Sequence, residues 1–94
     1  MRDIEKLIES FKSIHPTVKV RQFKVLHRRA DDDGLWFFEK PDSDLEVQIE
    51  SSTGMCPFLI ENNENDARLT TATVDQTIET LTLLLHLESL GGSL

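Results

Sequence analysis

Residues 45–50, Leu-Glu-Val-Gln-Ile-Glu, alternate apolar and polar side chains along their whole length. Successive side chains of a β-strand point to opposite faces, so Leu45, Val47 and Ile49 share one face and the polar residues share the other. Antiparallel sheets commonly bury one such face and leave the other in water. The segment therefore predicts an antiparallel sheet with one covered face.

Four more strands are predicted around this segment, from runs of β-branched and aromatic residues bounded by turns. They cover residues 17–28, 35–40, 56–61 and 67–72. The first strand changes its apolar face near Gln22, which indicates a bulge there or partial cover on both faces. The turn Asp31-Asp32-Asp33-Gly34 ends in a glycine that we expect to adopt a positive φ.

The N-terminal segment 3–14 is predicted to be an amphipathic helix. Its apolar residues recur with the spacing of one helical face, while charged and hydroxyl side chains occupy the other. Asp3 is expected to cap the first turn, and Pro16 disfavours helical geometry at the residue before it, which ends the helix. The apolar positions are Ile4, Leu7, Ile8, Phe11 and Ile14.

The C-terminal segment 74–89 is predicted to be a second amphipathic helix. Thr73 is its expected N-cap, Gln76 reaches back to complete a capping box, and Gly91-Gly92 ends the helix before a tail over residues 91–94. The order is therefore a helix, a meander of four to five antiparallel strands, and a helix. In a single domain of 94 residues, this order predicts an α+β two-layer sandwich with both helices on one face of the sheet.

The chain carries 17 acidic and 10 basic residues, and its net charge of −7 is unevenly distributed. Residues 1–30 have a net charge of +5, and residues 31–94 have a net charge of −12. The total disfavours nucleic-acid binding, because phosphates would repel it. We expect the basic first strand to lie against acidic neighbours instead of forming a binding surface. The expected pairs join Lys19, Arg21 and Lys24 to Glu39, Glu46 and Glu50.

The single cysteine cannot form an intramolecular disulfide, so the composition fits a reducing compartment and predicts a cytoplasmic protein. The leucine-rich stretch that contains Leu83-Leu84-Leu85 is far shorter than the ~20 apolar residues that span a bilayer. The N-terminus lacks the apolar segment of a signal peptide and carries acids, which transit peptides avoid. No membrane association is expected.

Residue types that carry enzyme chemistry are present, but not in recognisable arrangements. Cys56 precedes Pro57 at the start of a strand, without the helix N-terminus and paired base that hold a thiolate. The three histidines and the cysteine lack metal-ligand spacing, and the acids before Gly34 do not follow the calcium-loop pattern. Glu46 and Glu50 share a strand face but are about 13 Å apart, too far for an acid–base pair. We therefore predict no catalytic residue, metal or cofactor; the alternative is a thiol enzyme or ligand-binding domain that uses Cys56.

Two groups of apolar residues contain more side chains than can face the core together. On the last helix, Leu83, Leu87 and Leu90 lie opposite the stripe that is predicted to face the sheet. In the second strand, Trp36 and its aromatic neighbours cannot all point inward, and outward aromatic residues often anchor interfaces. Trp36 and these three leucines are therefore predicted to belong to a partner surface.

The acidic turns complete the predicted surface, whose charged residues are Asp31, Asp32, Asp33, Asp42 and Asp44. No motif resembles that of a named family, but the helix–meander–helix order recurs in small bacterial immunity proteins and secretion chaperones. We therefore predict a non-catalytic, acidic protein-binding domain from a bacterial cytoplasm, with a basic protein as its partner. A homodimer formed through the outer leucines or a sheet edge is a further alternative.

Overall fold

Seven elements of secondary structure make up the described part of the computed structural model, which is residues 2–22, 34–63 and 68–87. Their bounds are α1 Asp3–Ile14, β1 Lys19–Gln22, β2 Leu35–Glu39, β3 Glu46–Glu50, β4 Phe58–Asn62, β5 Arg68–Thr71 and α2 Val74–Leu84. Helix α1 has its predicted bounds, and β2 to β5 each begin and end within two residues of the predicted positions.

The strands form one antiparallel sheet in which neighbours in sequence are also neighbours in space. Across β1, β2 and β3 the register places Val20, Phe38 and Val47 side by side. The next strand continues this face, with Ile60 opposite Ile49. Helices α1 and α2 cover the apolar face, so the predicted α+β two-layer sandwich is confirmed.

The core lies between the apolar face of the sheet and the two helices. Phe11 of α1 packs edge-on against Phe38 of β2, with ring centroids 5.6 Å apart. Trp36 lies on the same face as Phe38 and is 4% exposed. Burying one large apolar side chain stabilises a fold by roughly 1.5–3 kcal/mol, so these contacts hold the layers together. The other buried apolar residues are Ile4, Leu7, Val18, Val47, Ile49, Phe58, Ile60, Leu81 and Leu85.

The first turn of α1 differs from the predicted cap. Arg2, not Asp3, occupies the N-cap position. Asp3 is the first helical residue, and its Oδ2 accepts the backbone N–H of Cys56 at 2.9 Å. The next amide, that of Ile4, donates to the carbonyl of Gly54 at 2.8 Å. The segment before β4 therefore satisfies a free amide of the helix start and ties α1 to the sheet.

Helix α2 begins with the predicted cap. The Thr73 hydroxyl accepts the backbone N–H of Gln76 at 3.0 Å. The Gln76 side chain reaches one residue further back than predicted, where it accepts the N–H of Ala72 at 2.8 Å. The hydroxyls of Thr77 and Thr71 are 2.7 Å apart in a buried hydrogen bond that ties α2 to β5.

Helix α2 ends at Leu84, five residues before the predicted end. His86 has a φ of 52°, a left-handed conformation that ends the helix. The N–H of His86 donates to the Leu83 carbonyl at 3.1 Å, and the N–H of Leu87 donates to the Thr82 carbonyl at 2.9 Å. The sequence does not signal this Schellman motif, because glycine usually occupies the left-handed position.

Gly34 is required for close packing and not for the positive φ that its turn position predicted. A Cβ on Gly34 would lie 2.3 Å from the carbonyl oxygen of Ser51. The Gly34 carbonyl accepts the Ser51 N–H at 2.8 Å, which extends the ladder of β2 and β3 by one residue pair. Gly54, by contrast, does have a positive φ of 75°.

Several predicted features lie outside the described residues. They are the first strand beyond Gln22 with Lys24, the turn residues Asp31, Asp32 and Asp33, the outer leucine Leu90, and the Gly91-Gly92 stop with the tail over residues 91–94. Within the described ranges, no helix is long and apolar enough to cross a membrane.

Candidate functional site

Predicted acidic residues gather at one end of the sheet, where the chain turns between β2 and β3. Asp42 and Asp44 are exposed in this turn. Asp42 has a φ of 57°, a left-handed conformation that aspartate tolerates better than most side chains. Glu39 and Glu46 flank the turn at the ends of the two strands. We call these four residues the acidic pole.

Two shallow concavities open at the acidic pole. One has a volume of about 350 Å³ and extends from the turn to Lys19 of β1. The other has a volume of about 460 Å³ and extends from the turn to Asn63, beyond the end of β4. Both are lined by Asp44. Open concavities with charged walls suit the polar side chains of a partner better than an enclosed apolar ligand.

Asn63 fixes the turn to the end of β4. Its Oδ1 accepts the backbone N–H of Glu46 at 3.0 Å, and its Nδ2 donates to the backbone carbonyl of Asp44. Because it bonds to the backbone on both sides of Leu45, one side chain restrains the start of β3. The sequence shows Asn63 only as part of a polar turn, and no pattern signals this role because the partners are distant in the chain.

Glu39 and Glu46 lie directly opposite each other on β2 and β3, and Arg21 of β1 joins them. Arg21 Nε is 2.8 Å from Glu39 Oε1, and its Nη2 is 3.3 Å from Glu46 Oε2. The Arg21 guanidinium also lies over the ring of Phe37, 4.4 Å from the centroid. The predicted pairing of the basic strand with acidic neighbours is confirmed for Arg21, and Lys19 lies opposite Glu39 in the register.

The two carboxyl groups share one guanidinium, and their pKa values move in opposite directions. The hydrogen bond from Arg21 holds the pKa of Glu39 below its ordinary value. Burial, reinforced by a hydrogen bond to Glu39, raises the pKa of Glu46 above its ordinary value. Directly opposed like charges repel each other, so Glu46 binds a proton more readily than an isolated glutamate.

Two lysines lie beside the acidic pole. Lys19, the first residue of β1, lies opposite Glu39. Beyond the end of α2, Lys40 Nζ donates to the carbonyl of His86 at 3.1 Å. Both lysines line the first concavity, and the Lys40 ammonium offsets the roughly half negative elementary charge at the C-terminal end of α2.

The other predicted site residues lie in different environments. Trp36 is a core residue, so its predicted place on a partner surface is wrong; Phe37 faces outward instead. Leu83 is 75% exposed, whereas Leu87 packs partly against the core after the chain reverses at His86. Asp31, Asp32, Asp33 and Leu90 lie outside the described residues.

Cys56 has the surroundings of an unreactive thiol. It is partly buried, and the Asp3 carboxylate accepts its backbone N–H. Burial and the nearby Asp3 carboxylate raise the pKa of the Cys56 thiol, whereas a thiol nucleophile requires a lowered pKa. In the part of the chain that the structure describes, no three His, Cys, Asp or Glu side chains are grouped so that they could hold a metal ion.

The chain matches no protein-family model, no curated protein and no solved structure. Its class is therefore defined by the fold and the candidate site. It is an α+β two-layer sandwich with a restrained, concave and negatively charged end.

Proposed function

We propose that this chain is a non-catalytic binding protein whose acidic pole engages a basic protein partner. One observation carries the proposal: Asp42 and Asp44 are exposed on a turn that Asn63 restrains, beside two concavities. Charged groups that are already positioned lose less conformational freedom when a partner binds.

Electrostatics supports a cationic partner. The four carboxylates of the acidic pole outnumber the neighbouring cations Lys19, Arg21 and Lys40 by one, so a negative excess remains at this surface. Such a surface accelerates the encounter with a positively charged partner, and salt reduces the effect. A bound cation would also favour the ionised form of Glu46 and so lower its pKa, which is raised in the free protein.

The sharper form of the proposal is an immunity-like or chaperone-like role in a bacterial cytoplasm. It rests on fold analogy together with charge, since the helix–meander–helix order recurs in many small bacterial proteins, among them toxin-neutralising immunity proteins and secretion chaperones. It leads us to expect that the gene directly upstream encodes a basic toxin or secreted effector. Co-expression with the product of that gene would then yield a complex.

Binding of a fluorescent oligolysine peptide, followed by stopped-flow anisotropy, tests the acidic pole. The test variant is Asp42→Asn/Asp44→Asn. The control is Glu9→Gln/Glu79→Gln, which removes the same charge from exposed positions in the helices. We expect the test variant to lower the association rate roughly tenfold and to flatten its salt dependence, because steering depends on local charge.

Equal losses in the two double variants would show that only net charge matters and would overturn the assignment to the acidic pole. Association of the unmodified protein at a rate that does not change with salt would overturn the electrostatic mechanism itself. Near-native rates for the control, with a loss confined to the test variant, support the proposal.

A further inference from the structure

Strand β5 is an edge of the sheet, and in the described part of the chain no strand pairs with its outer side. Arg68, Leu69 and Thr70 are all exposed. Leu69 is 43% exposed, although the register sets it opposite the core residue Ile60. An edge strand presents unpaired backbone N–H and C=O groups that another strand can bind. Leu69 therefore extends the apolar face of the sheet to an open edge.

We propose that β5 pairs in antiparallel fashion with β5 of a second copy of this chain, with Leu69 on the twofold axis. The two sheets then continue into each other across the interface, and the same surface of each copy is used. This inference goes beyond the proposed function, because β5 contributes no residue to the acidic pole.

The register follows from the two-residue period of a strand. Residues that lie opposite each other in an antiparallel pair must point to the same face, so the axis passes through a residue and not between two. An axis at Leu69 sets the two exposed leucines against each other and places Arg68 opposite Thr70. An axis at Thr70 would leave Leu69 opposite Thr71. The Leu69 register buries more apolar surface.

The two edge strands of the sheet, β1 and β5, differ in the charges that self-pairing would bring together. A symmetric pair of β1 strands about Val20 would set Lys19 opposite Arg21, and like charges directly opposite each other are destabilising. Strand β5 carries one charged residue, Arg68, which already forms an ion pair with Glu61 at 2.9 Å. In the Leu69 register this charge faces a neutral threonine. Of these two symmetric pairings, the one at β5 sets no like charges directly opposite each other.

Ionic strength distinguishes this inference from the proposed function. Each copy has a net charge of −7, so salt that screens the repulsion strengthens self-association. Binding of a basic partner at the acidic pole weakens under the same conditions. Either proposal can therefore be contradicted by experiment without contradicting the other.

Sedimentation velocity over a concentration series at moderate salt is the first test. We expect the unmodified protein to dimerise, and Leu69→Lys to weaken the dimer about tenfold or more, because two lysines would meet on the axis. Leu83→Lys, at an exposed leucine of α2, is the matched control and is expected to dimerise normally. A protein that remains monomeric throughout the series overturns the proposal.

Cross-linking in a Cys56→Ser background is the second test and does not depend on the folding of Leu69→Lys. Residues opposite each other in an antiparallel pair have Cα atoms about 4.5–5.5 Å apart, within the range of a disulfide. Leu69→Cys is therefore expected to oxidise rapidly to a covalent dimer. Thr70→Cys and Leu83→Cys, which lie off the axis, are expected to react more slowly. Equal rates at the three positions, or a faster rate at residue 83, would overturn the β5 interface.

Discussion

The Asp3 carboxylate accepts the backbone N–H of Cys56 at 2.9 Å, across 53 positions of sequence. The contact joins the first turn of α1 to the segment before β4. Burial raises the pKa of the only thiol of the chain, and the negative charge of Asp3 beside this thiol raises it further. One interaction therefore both ties the layers together and suppresses nucleophilic chemistry.

The first prediction concerns the reactivity of Cys56. We expect its alkylation by iodoacetamide near neutral pH to be slower than that of a free cysteine, because the thiolate fraction is small. Asp3→Asn should accelerate the reaction at a given pH, since removal of the carboxylate charge lowers the thiol pKa. The control is Glu5→Gln, because Glu5 bonds to Arg2 and not to Cys56. Rapid alkylation of the unmodified protein below about pH 7 would contradict the prediction and revive the thiol-enzyme alternative.

The second prediction concerns Gly34. Gly34→Ala should lower the free energy of unfolding by about 1–3 kcal/mol, because the new methyl group would overlap the Ser51 carbonyl and separate the strands. Urea titration measures the loss. Ser52→Ala, at the exposed neighbouring position, should change stability by less than about 0.5 kcal/mol. Equal effects of the two substitutions would show that the strands do not approach so closely.

The third prediction compares two substitutions at His86. The free energy of unfolding of the His86→Gly variant should be roughly 1–2 kcal/mol higher than that of the His86→Val variant. Glycine adopts this left-handed conformation without a steric penalty, whereas a β-branched side chain in the same conformation is crowded against the backbone. Urea titration of both variants gives the difference. If His86→Val proved as stable as His86→Gly, α2 would have to end in another way.

The fourth prediction is a pH dependence at Glu46. The folded-state pKa of Glu46 is raised, so its stabilising contribution is complete below its ordinary pKa of 4.5 and is lost as pH rises through the folded-state value. Glutamine cannot ionise, so Glu46→Gln should gain stability relative to the unmodified protein between about pH 4 and pH 7. Unfolding titrations across this range measure the difference.

The matched control for this pH dependence is Glu50→Gln, an exposed position of the same strand that does not lie opposite Glu39. Its stability relative to the unmodified protein should vary less with pH. If Glu46→Gln instead lost stability relative to the unmodified protein as pH rises, the effect of Arg21, which lowers the pKa of Glu46, would exceed the effects of burial and Glu39, which raise it.

The fifth prediction tests the placement of the single tryptophan. Trp36→Phe should leave a folded protein, whereas Trp36→Ala should cost about 3–5 kcal/mol of unfolding free energy, because Trp36 is buried in the core. Leu83→Ala should change stability by less than about 0.5 kcal/mol. Thermal unfolding followed by circular dichroism compares the three variants. A mild effect of Trp36→Ala would place the indole on the surface after all.

The regular patterns were the most predictable part of the fold. The helical spacing of residues 3–14 and the alternation of residues 45–50 each reflect a one-sided environment, which a local pattern records directly. In residues 35–38 every side chain is apolar, so the alternation disappears and the buried face cannot be chosen. The contact between Phe11 and Phe38 makes that choice, and it sends Phe37 outward.

The candidate site was predictable only in its charge. Asp42 and Asp44 are visible as an acidic turn, and the pairing of Arg21 with acidic neighbours was expected from its charge, but the role of Asn63 depends on a strand that is distant in sequence. The shifted pKa values of Glu39 and Glu46 follow from a cross-strand register and from burial, which no local pattern encodes. The distribution of charge in the sequence therefore indicated an acidic surface but not the arrangement of its residues.

The sequence by itself determined the order of the elements, the span of α1 and the excess of acid in residues 31–94, because periodicity and charge are local properties of a chain. Only the tertiary structure decided which aromatic residues are buried, where α2 ends, why Gly34 is needed and which acids share one end of the sheet. These outcomes depend on pairs of residues far apart in sequence, which meet only when the sheet and the helices pack together.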